Sequence, residues 1–466
     1  MRIARHIAFA SVSVVLAAAM PAFGGDQPAP TAKQPGFSLQ EALAVAYETN
    51  PQLSAAQAGL RATDENVAQA NANWRPTISA GGTYGVEQYK IGGVPAWIST
   101  HPLQAQIGVT ENIFRGGRTY AEIGKAKAQV RGGRAQLLAA EQTVLLGAAT
   151  AYMDVVRDTA IVNLRQRNVE VLRKQRDATA LEFKAGSLTR TDVAQSEARL
   201  ATAIADLTTA QGQLAISRSG FMQAIGRPAE TLEGEPALPP VVPANEDDAL
   251  GLALKQNPSL VVAKENEVAA GYAVDDAIGA MLPQLSVQGG YSYSQQSYSS
   301  SLGAGSTVHG LGAMAQLNVP IYQGGAEEAT IRQAKQLHAQ AELNVNATDR
   351  QVRDAVSTAW YMFQAAQASI TSNKSTAEAD EIAFKGVSKE QQVGGRTILD
   401  VLNAQQELLN AQVAVVTSQR NAIVAAFQVL AAEGSLTAKS LGLKVKLYDP
   451  LEHYDSNAAS WVGFGD

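Results

Sequence analysis

The chain carries Asn50-Pro51-Gln52-Leu53 and, 207 residues later, Asn257-Pro258-Ser259-Leu260. It also carries Ile113-Phe114-Arg115-Gly116-Gly117, which returns 208 residues later as Ile321-Tyr322-Gln323-Gly324-Gly325. An offset that changes by one residue over half of a chain indicates two copies of one structural unit. The sequence therefore predicts an internal tandem repeat, and a feature found in one half can be checked in the other.

The N-terminus has the features of a secretory signal peptide. Arg2 and Arg5 precede an apolar stretch, and Ala22-Phe23-Gly24 places small residues at the two cleavage positions, so we expect cleavage after Gly24. The apolar stretch is shorter than the roughly 20 residues needed to span a bilayer, so a membrane anchor is the less favoured alternative. The predicted domains are a signal peptide (1–24), an extended segment (25–38), repeat 1 (39–235), repeat 2 (236–442) and a C-terminal tail (443–466).

Composition excludes several classes of protein. There is no cysteine, hence no disulfide, no thiolate metal site and no lipid on an N-terminal cysteine. The net charge of −6 argues against nucleic-acid binding, which usually leaves a basic footprint. After the signal peptide we expect no stretch with the length and apolarity of a transmembrane helix.

Motifs of catalysis are also missing from the sequence. We find no phosphate-binding loop, no nucleophile elbow and no paired histidines at metal-binding spacing. We therefore predict no enzyme, no cofactor and no metal site. The histidines are interpreted as ordinary surface or loop residues: His6, His101, His309, His338 and His453.

Long helices are predicted where proline is absent, in residues 117–227 and 322–449. A proline inside a helix costs roughly 3 kcal/mol, so proline-free runs permit very long helices. Apolar residues recur there at spacings of three and four, which is typical of coiled coils. Glycine breaks each run once, and Thr189 and Thr397 are the predicted N-caps of the returning helices. The predicted helices are 39–74, 117–184 and 189–226 in repeat 1, and 248–281, 326–392 and 397–434 in repeat 2.

Alternating apolar and polar residues predict strands between the first and second helix of each half. Loops rich in Gly, Ser and Pro separate them, at residues 91–102 and 295–307. Four strands are too few to close a barrel, and open edges are not tolerated in lipid, so a barrel must be shared between chains. A soluble hairpin at the end of a coiled coil is the alternative. The predicted strands are 77–89 and 103–114, then 284–298 and 308–320.

At this point the residues resemble the outer-membrane efflux protein family, the TolC-like exit ducts. The resemblance covers essentially the whole mature chain. It is carried by Glu41-Ala42-Leu43 through Asn50-Pro51 and by the copy Asp248-Ala249-Leu250 through Asn257-Pro258. It is also carried by Val319-Pro320-Ile321-Tyr322-Gln323-Gly324-Gly325 after the last strand and by the segment Gly395-Arg396-Thr397-Ile398-Leu399-Asp400-Val401-Leu402-Asn403-Ala404-Gln405.

The resemblance implies an α+β membrane protein that forms a homotrimer. It implies a twelve-stranded transmembrane β-barrel among outer-membrane lipids, a helical tunnel through the periplasm and a periplasmic C-terminal tail. A periplasmic adaptor (membrane fusion) protein and an inner-membrane pump of the RND or ABC type would dock at the inner end. The duct would passively conduct drugs, other toxic compounds or secreted polypeptides. The alternative is a structural or adhesive coiled coil that spans the periplasm.

The helix-to-helix turns are the candidate site. If three chains converge there, three Asp400 carboxylates face one axis, which makes a ring that attracts cations. By the resemblance, Asp400 matches a tunnel-lining acidic position, and Asn403 replaces a second acidic residue found in some members. Asp192 and Arg396 match positions that bridge neighbouring coiled coils in the closed state, and Gln391 stands where some members have Tyr.

A simpler role is open for both aspartates, which at these positions suit the N-terminal ends of the returning helices. The turns themselves are the expected contact with the adaptor, because small residues let a partner hairpin approach closely. The predicted docking residues are Ala185, Gly186 and Ser187 in the first turn, and Val393, Gly394 and Gly395 in the second.

Overall fold

The computed structural model describes residues 36–463 except 91, 94–96, 235, 240–241 and 299–304. The predicted signal peptide lies outside the described residues, as does most of the segment 25–38. The chain divides into the units Met1–Gly36 and Phe37–Asp466, and the fold given below is that of the second unit.

Helices follow the same order and have the same lengths in both halves. The first half contains α1 (Leu39–Thr49), α2 (Pro51–Ala72), α3 (Arg118–Lys184) and α4 (Arg190–Ile225). The second contains α5 (Glu246–Gln256), α6 (Pro258–Gly279), α7 (Ala326–Gln392) and α8 (Ile398–Glu433), and the tail contains α9 (Glu452–Asn457). The long helices α3 and α7 have 67 residues each. At 1.5 Å per residue each is about 100 Å long.

The predicted helices 39–74 and 248–281 are each two helices, because an Asn-Pro pair divides them. Asn50 has an extended backbone (φ −71°, ψ 123°), and its side chain accepts a hydrogen bond from the Gln52 amide at 2.9 Å. Asn257 repeats this arrangement with φ −60° and ψ 123°. Proline restricts the residue before it to extended conformations, and it is favoured at the first position of a helix. The motif that identifies the repeat is therefore an N-cap followed by the first helical residue.

The strands form one antiparallel sheet with the order β1-β3-β4-β5. They are β1 (Thr77–Tyr84), β2 (Glu87–Tyr89), β3 (Ile98–Arg115), β4 (Gln284–Tyr298) and β5 (Ser306–Asn318), and β2 pairs with β3 outside this order. In the described part of the chain, β1 and β5 each pair on one side only.

Two predicted strand boundaries are wrong near the first loop. The predicted strand 77–89 is interrupted after β1, where the Gly85 amide donates to the Pro102 carbonyl at 3.0 Å. The strand predicted to begin at 103 begins at Ile98, within the predicted loop 91–102. The reason is cross-strand pairing, since β2 extends the ladder opposite Ile98 to Thr100. The sequence pattern does not reveal this, because a short edge strand is stabilised by its neighbour.

The two faces of the sheet differ in polarity. Ile107 pairs with Tyr291, which pairs with Leu311, so all three lie on one face. This face is mainly apolar and open, although Glu111 and His309 also lie on it, and the Leu311 side chain is 88% exposed. On the other face Gln106 pairs with Ser292. A sheet with one exposed, mainly apolar face and one polar face suits a boundary between lipid and water.

A hydrophobic core joins α1, α3, α4 and α8 to residues 436–448. Tyr152 is fully buried near the middle of α3, and its Oη lies 2.9 Å from the Phe37 carbonyl and 3.0 Å from the Glu233 carbonyl. Phe221 of α4 packs against its ring. Tyr152, and with it this core, therefore lies roughly 50 Å along α3 from the turn that ends the helix.

Helix α8 is long and apolar enough to cross a membrane, by length and composition alone. Our expectation that no stretch after the signal peptide would have these properties is therefore wrong. Half of its most apolar 18-residue window is buried inside the chain, and Phe427 and Leu430 belong to the core. Core helices of soluble proteins have the same properties, so this is weak evidence for a membrane span.

Candidate functional site: the coiled-coil turns

Two glycine turns end the long helices and expose all six predicted docking residues. Gly186 lies between α3 and α4 with φ +78°, and Gly394 lies between α7 and α8 with φ +79°. Residues with a side chain rarely adopt this backbone conformation, so glycine is needed to turn the chain. Val393 is 83% exposed. Together the two turns therefore present small residues and one larger apolar side chain, that of Val393, to solvent.

Each returning helix begins with a reciprocal cap, which confirms Thr189 and Thr397 as N-caps. The Asp192 amide donates to Thr189 Oγ1 at 3.3 Å, and Asp192 Oδ2 accepts from the Thr189 amide at 2.9 Å. In the second turn Asp400 Oδ2 accepts from the Thr397 amide at 3.0 Å. Such a capping box satisfies amides that a helix terminus would otherwise leave unpaired.

The caps also keep both carboxylates charged. Hydrogen bonds from the Thr189 side chain and then its amide lower the pKa of Asp192. Hydrogen bonds from the Thr397 amide and then its side chain lower the pKa of Asp400, to which the Arg396 charge adds a smaller effect. Within one chain, the geometry therefore supports the simpler role, in which these aspartates cap the N-terminal ends of the returning helices. Each turn also presents a negative charge.

Arg396 has a partner that the sequence did not suggest. Its Nε lies 3.0 Å from Glu390 Oε2, and this hydrogen bond raises the pKa of the guanidinium. Both side chains are about half exposed, at 52% and 56%, so the pair contributes little to stability. The sequence signal that could have identified this ion pair is an acidic residue six positions before an arginine, on the other side of a tight turn. Gln391 contributes its carbonyl to the same turn, accepting from the Gly394 amide at 2.9 Å.

Asn403 links the two coiled coils of one chain. Its Oδ1 accepts a hydrogen bond from Arg199 Nη2 of α4 at 2.9 Å. Two residues further along α8, Gln405 Nε2 donates to Asn168 Oδ1 of α3 at 3.1 Å. Asn168 is 5% exposed, so this second link is buried. An amide at 403 therefore joins α8 to an arginine on the neighbouring coiled coil.

Two of the five histidines are not ordinary surface or loop residues. His338 lies on α7, half-buried, with Nε2 2.6 Å from Glu267 Oε1 of α6. His453 lies on α9, where its Nδ1 is 3.4 Å from Oδ2 of Asp64, whose side chain is 1% exposed. His6 is outside the described residues.

Helices of about 100 Å that pair with shorter ones, charged and exposed turns, and a sheet with a mainly apolar face are the features of a subunit of a membrane channel. The chain belongs to the outer membrane efflux protein family, whose family model matches residues 42–227 and 249–435. The two matches correspond to the two halves of the helix order given above.

Individual relatives agree with this assignment. The chain is 36% identical over 429 residues to the outer membrane efflux protein BepC of Brucella suis biovar 1 (strain 1330), covering 91% of each chain. It is 26% identical over 435 residues to the outer membrane protein TolC of Escherichia coli (strain K12), covering 91% of this chain and 87% of TolC. The Campylobacter jejuni CmeC outer membrane channel shares the fold, with a TM-score of 0.76 at 16% identity, over 90% of this chain and 89% of CmeC.

The protein is therefore an efflux channel of the outer membrane. The family consists of transport proteins, which agrees with the prediction that the chain is not an enzyme. The alternative of a structural or adhesive coiled coil has no support from these relatives.

Proposed function

We propose that three copies of the chain close a twelve-stranded barrel in the outer membrane. The observation that carries this proposal is the four-strand order β1-β3-β4-β5, which leaves one edge of β1 and one of β5 unpaired in the described residues. Unpaired backbone edges are not tolerated in lipid, so β5 of one chain would pair with β1 of the next. The exposed, mainly apolar face would contact lipid, and the polar face would line the lumen.

The long helices of the three chains would continue the barrel as a tunnel in the periplasm. In each chain α3 pairs with α4 and α7 pairs with α8, and α3 also packs against α8. Links such as Arg199 to Asn403 hold the two coiled coils of one chain together near the turns. The duct would then narrow where the six turns of three chains converge.

The turns would form a closed aperture with an acidic ring. Three Asp400 side chains near one axis would attract cations, and their caps favour the charged form. Asn403 carries no charge and accepts from Arg199, so it would not provide a second acidic ring. Asp192 and Arg396 would bridge neighbouring coiled coils, with Gln391 beside them. In one chain Arg396 is held by Glu390, which would compete with such a bridge.

The exposed turns would dock a periplasmic adaptor, and through it an inner-membrane pump of the RND or ABC type. The docking surface would consist of residues 185–187 and 393–395. Energy would come from the pump, and the channel would conduct its cargo passively. The polar face of the sheet carries few charged residues, which favours a duct with little selectivity of its own, open to drugs and other toxic compounds or to secreted polypeptides.

Single-particle imaging of the detergent-purified protein tests the assembly. We expect a three-fold particle in which twelve strands form one barrel, and in which the helices extend more than about 100 Å from it. The β1–β5 contact between chains should be visible as continuous backbone pairing. A monomer, a dimer or a filament without a lumen would rule out the shared barrel, and with it the acidic ring.

Conductance of single channels in planar bilayers tests the aperture. Asp192→Ala and Arg396→Ser are each expected to raise conductance severalfold, because each removes a charge that would bridge neighbouring coiled coils. Thr189→Ala is the matched control for Asp192, since it removes half of the same cap and leaves the carboxylate. Arg353→Ser is the control for Arg396, since it removes a similarly exposed pair with Asp349 (2.7 Å) far from the turns. Unchanged conductance in both test variants would refute the gating role.

A further inference from the structure

Three side chains that can ligate a metal meet on two helices, away from the turns. Glu267 is on α6, and His338 and Glu342 are one turn apart on α7. One ligand atom from each lies within 4.8 Å of the other two. His338 Nε2 is 2.6 Å from Glu267 Oε1 and 3.9 Å from Glu342 Oε1. We propose that this cluster, the α6–α7 triad, binds a divalent transition metal with the chemistry of Zn²⁺.

The atoms of the triad suit zinc chemically and geometrically. Zn²⁺ binds imidazole nitrogen and carboxylate oxygen at about 2.0–2.2 Å, and tetrahedral ligands at that radius lie about 3.3 Å apart. The two distances from His338 Nε2, one of 2.6 Å and one of 3.9 Å, lie on either side of that value. Small side-chain rotations would equalise them. Two carboxylates offset the charge of the ion, and water would take the fourth position.

The triad is open to an ion from solvent. The side chains of His338, Glu267 and Glu342 are 29%, 31% and 57% exposed, so an ion can enter. Gly271 follows Glu267 by one helical turn, and a Cβ on it would lie 3.6 Å from His338 Nε2, in ordinary van der Waals contact. Alanine at this position would therefore narrow the approach to the imidazole without a clash.

The first half of the chain lacks the triad at the matching positions. Glu267 is the tenth residue of α6, and the tenth residue of α2 is Leu60. His338 is the thirteenth residue of α7, and the thirteenth residue of α3 is Val130. Leu60 and Val130 are each 2% exposed. In repeat 1, helices α2 and α3 therefore pack through apolar side chains at these positions. The fold does not require the three ligands that repeat 2 has there.

Metal binding would replace a hydrogen bond with metal–ligand bonds. In the metal-free chain His338 Nε2 and Glu267 Oε1 lie 2.6 Å apart, which is hydrogen-bond distance. The ion would take the Nε2 lone pair and the two carboxylates, a proton on Nε2 would pass to water, and the bound imidazole would be neutral with its proton on Nδ1. The result is a crosslink between α6 and α7 about 18 Å along α7 from its first residue. This proposal does not depend on the trimer or on the acidic ring.

Calorimetric titration of Zn²⁺ into the untagged, chelator-treated, full-length protein in detergent tests the triad. We expect one saturable site per chain. His338→Ala and Glu342→Gln should each weaken binding at least about tenfold, since removing a ligand costs no less than removing a supporting hydrogen bond. Excess Mg²⁺ should not displace the ion, because Mg²⁺ prefers oxygen ligands.

His453→Ala is the matched control, because it removes another helical histidine beside carboxylates and should leave the affinity unchanged. The melting temperature of each variant without metal shows whether it is folded. Zinc binding that persists in both triad variants would overturn the proposal. So would a site that disappears only in His453→Ala, or heat that is absent from the wild-type protein, which would leave the His338–Glu267 contact as a hydrogen bond alone.

Discussion

Replacing Gly116 by alanine is expected to abolish assembly of the protein in the outer membrane, whereas Gly117→Ala is expected to be tolerated. The two glycines are neighbours at the β3–α3 junction, and both have a left-handed backbone, with φ +65° and φ +83°. Both variants therefore meet the same penalty of about 1–2 kcal/mol for a left-handed residue with a side chain.

The difference between the variants comes from packing. A Cβ on Gly116 would lie 2.2 Å from the Gly279 carbonyl oxygen and 2.8 Å from Leu282 Cβ, whereas a Cβ on Gly117 would meet nothing within 4 Å. The atoms in the way at Gly116 are backbone and Cβ, so a side-chain rotation cannot relieve the clash. We expect a further cost of at least about 3 kcal/mol, at the upper end of overpacking.

The measurement is the amount of folded protein in outer membranes, together with its melting temperature in detergent. Gly117→Ala is the matched control, because it places a side chain at the same junction without meeting another atom. Equal yields and equal melting temperatures for Gly116→Ala and Gly117→Ala would show that the β3–α3 junction is not as tightly packed against α6 as the structure has it.

Glu433→Gln is expected to stabilise the protein at neutral and alkaline pH by up to about 3 kcal/mol per chain. Glu433 is the last residue of α8 and is 1% exposed, and burial raises its pKa from 4.5 to about 7 despite a hydrogen bond from the Ser435 hydroxyl. The last residue of α4, which matches it in repeat 1, is the buried Ile225. A carboxyl group therefore occupies a site that is apolar in the other half.

The direction of the pH dependence follows from the raised pKa. The folded state binds the proton of Glu433 more tightly than the unfolded state does, so its stabilising contribution is complete below pH 4.5. This contribution is lost as the pH rises through about 7. Glutamine can accept the Ser435 hydrogen bond at any pH without a charge.

Melting temperatures of the two proteins at about pH 4 and about pH 8 check this. The curves should nearly coincide at the lower pH, and Glu433→Gln should melt higher at the upper pH. Other groups titrate equally in both proteins, so the difference isolates Glu433. A variant that melts lower than the wild type at about pH 8 would mean that the charged carboxylate has a stabilising partner.

Local signals predicted much of the fold, because they act within a few residues of the chain. Glycine with positive φ ends each long helix, and a threonine with an aspartate three residues later begins the next. The same kind of signal was present at Asn50-Pro51, where one helix ends and the next begins, but we predicted one continuous helix there. Errors at β2 and at the start of β3 have another cause, since those residues become strands by pairing with each other.

The partners of the site residues could not be read from the chain. Asp192 and Asp400 were placed correctly at the turns, since a turn is a local feature. The partner of Asn403 is Arg199, 204 positions away, and the partner of His338 is Glu267, 71 positions away. Such contacts depend on how helices pack side by side, and the charge pattern of one helix does not specify its neighbour.

The sequence by itself determined the repeat, the lengths of the long helices, the positions of the turns and the alternation of the strands. These follow from backbone preferences and from apolar periodicity, which act over short distances along the chain. Only the tertiary structure decided that a carboxyl group at 433 is buried, that Gly116 contacts α6, and that Glu267, His338 and Glu342 meet. The physical reason is that burial and ligand geometry depend on distances between elements, which are determined when the coiled coils and the sheet pack together.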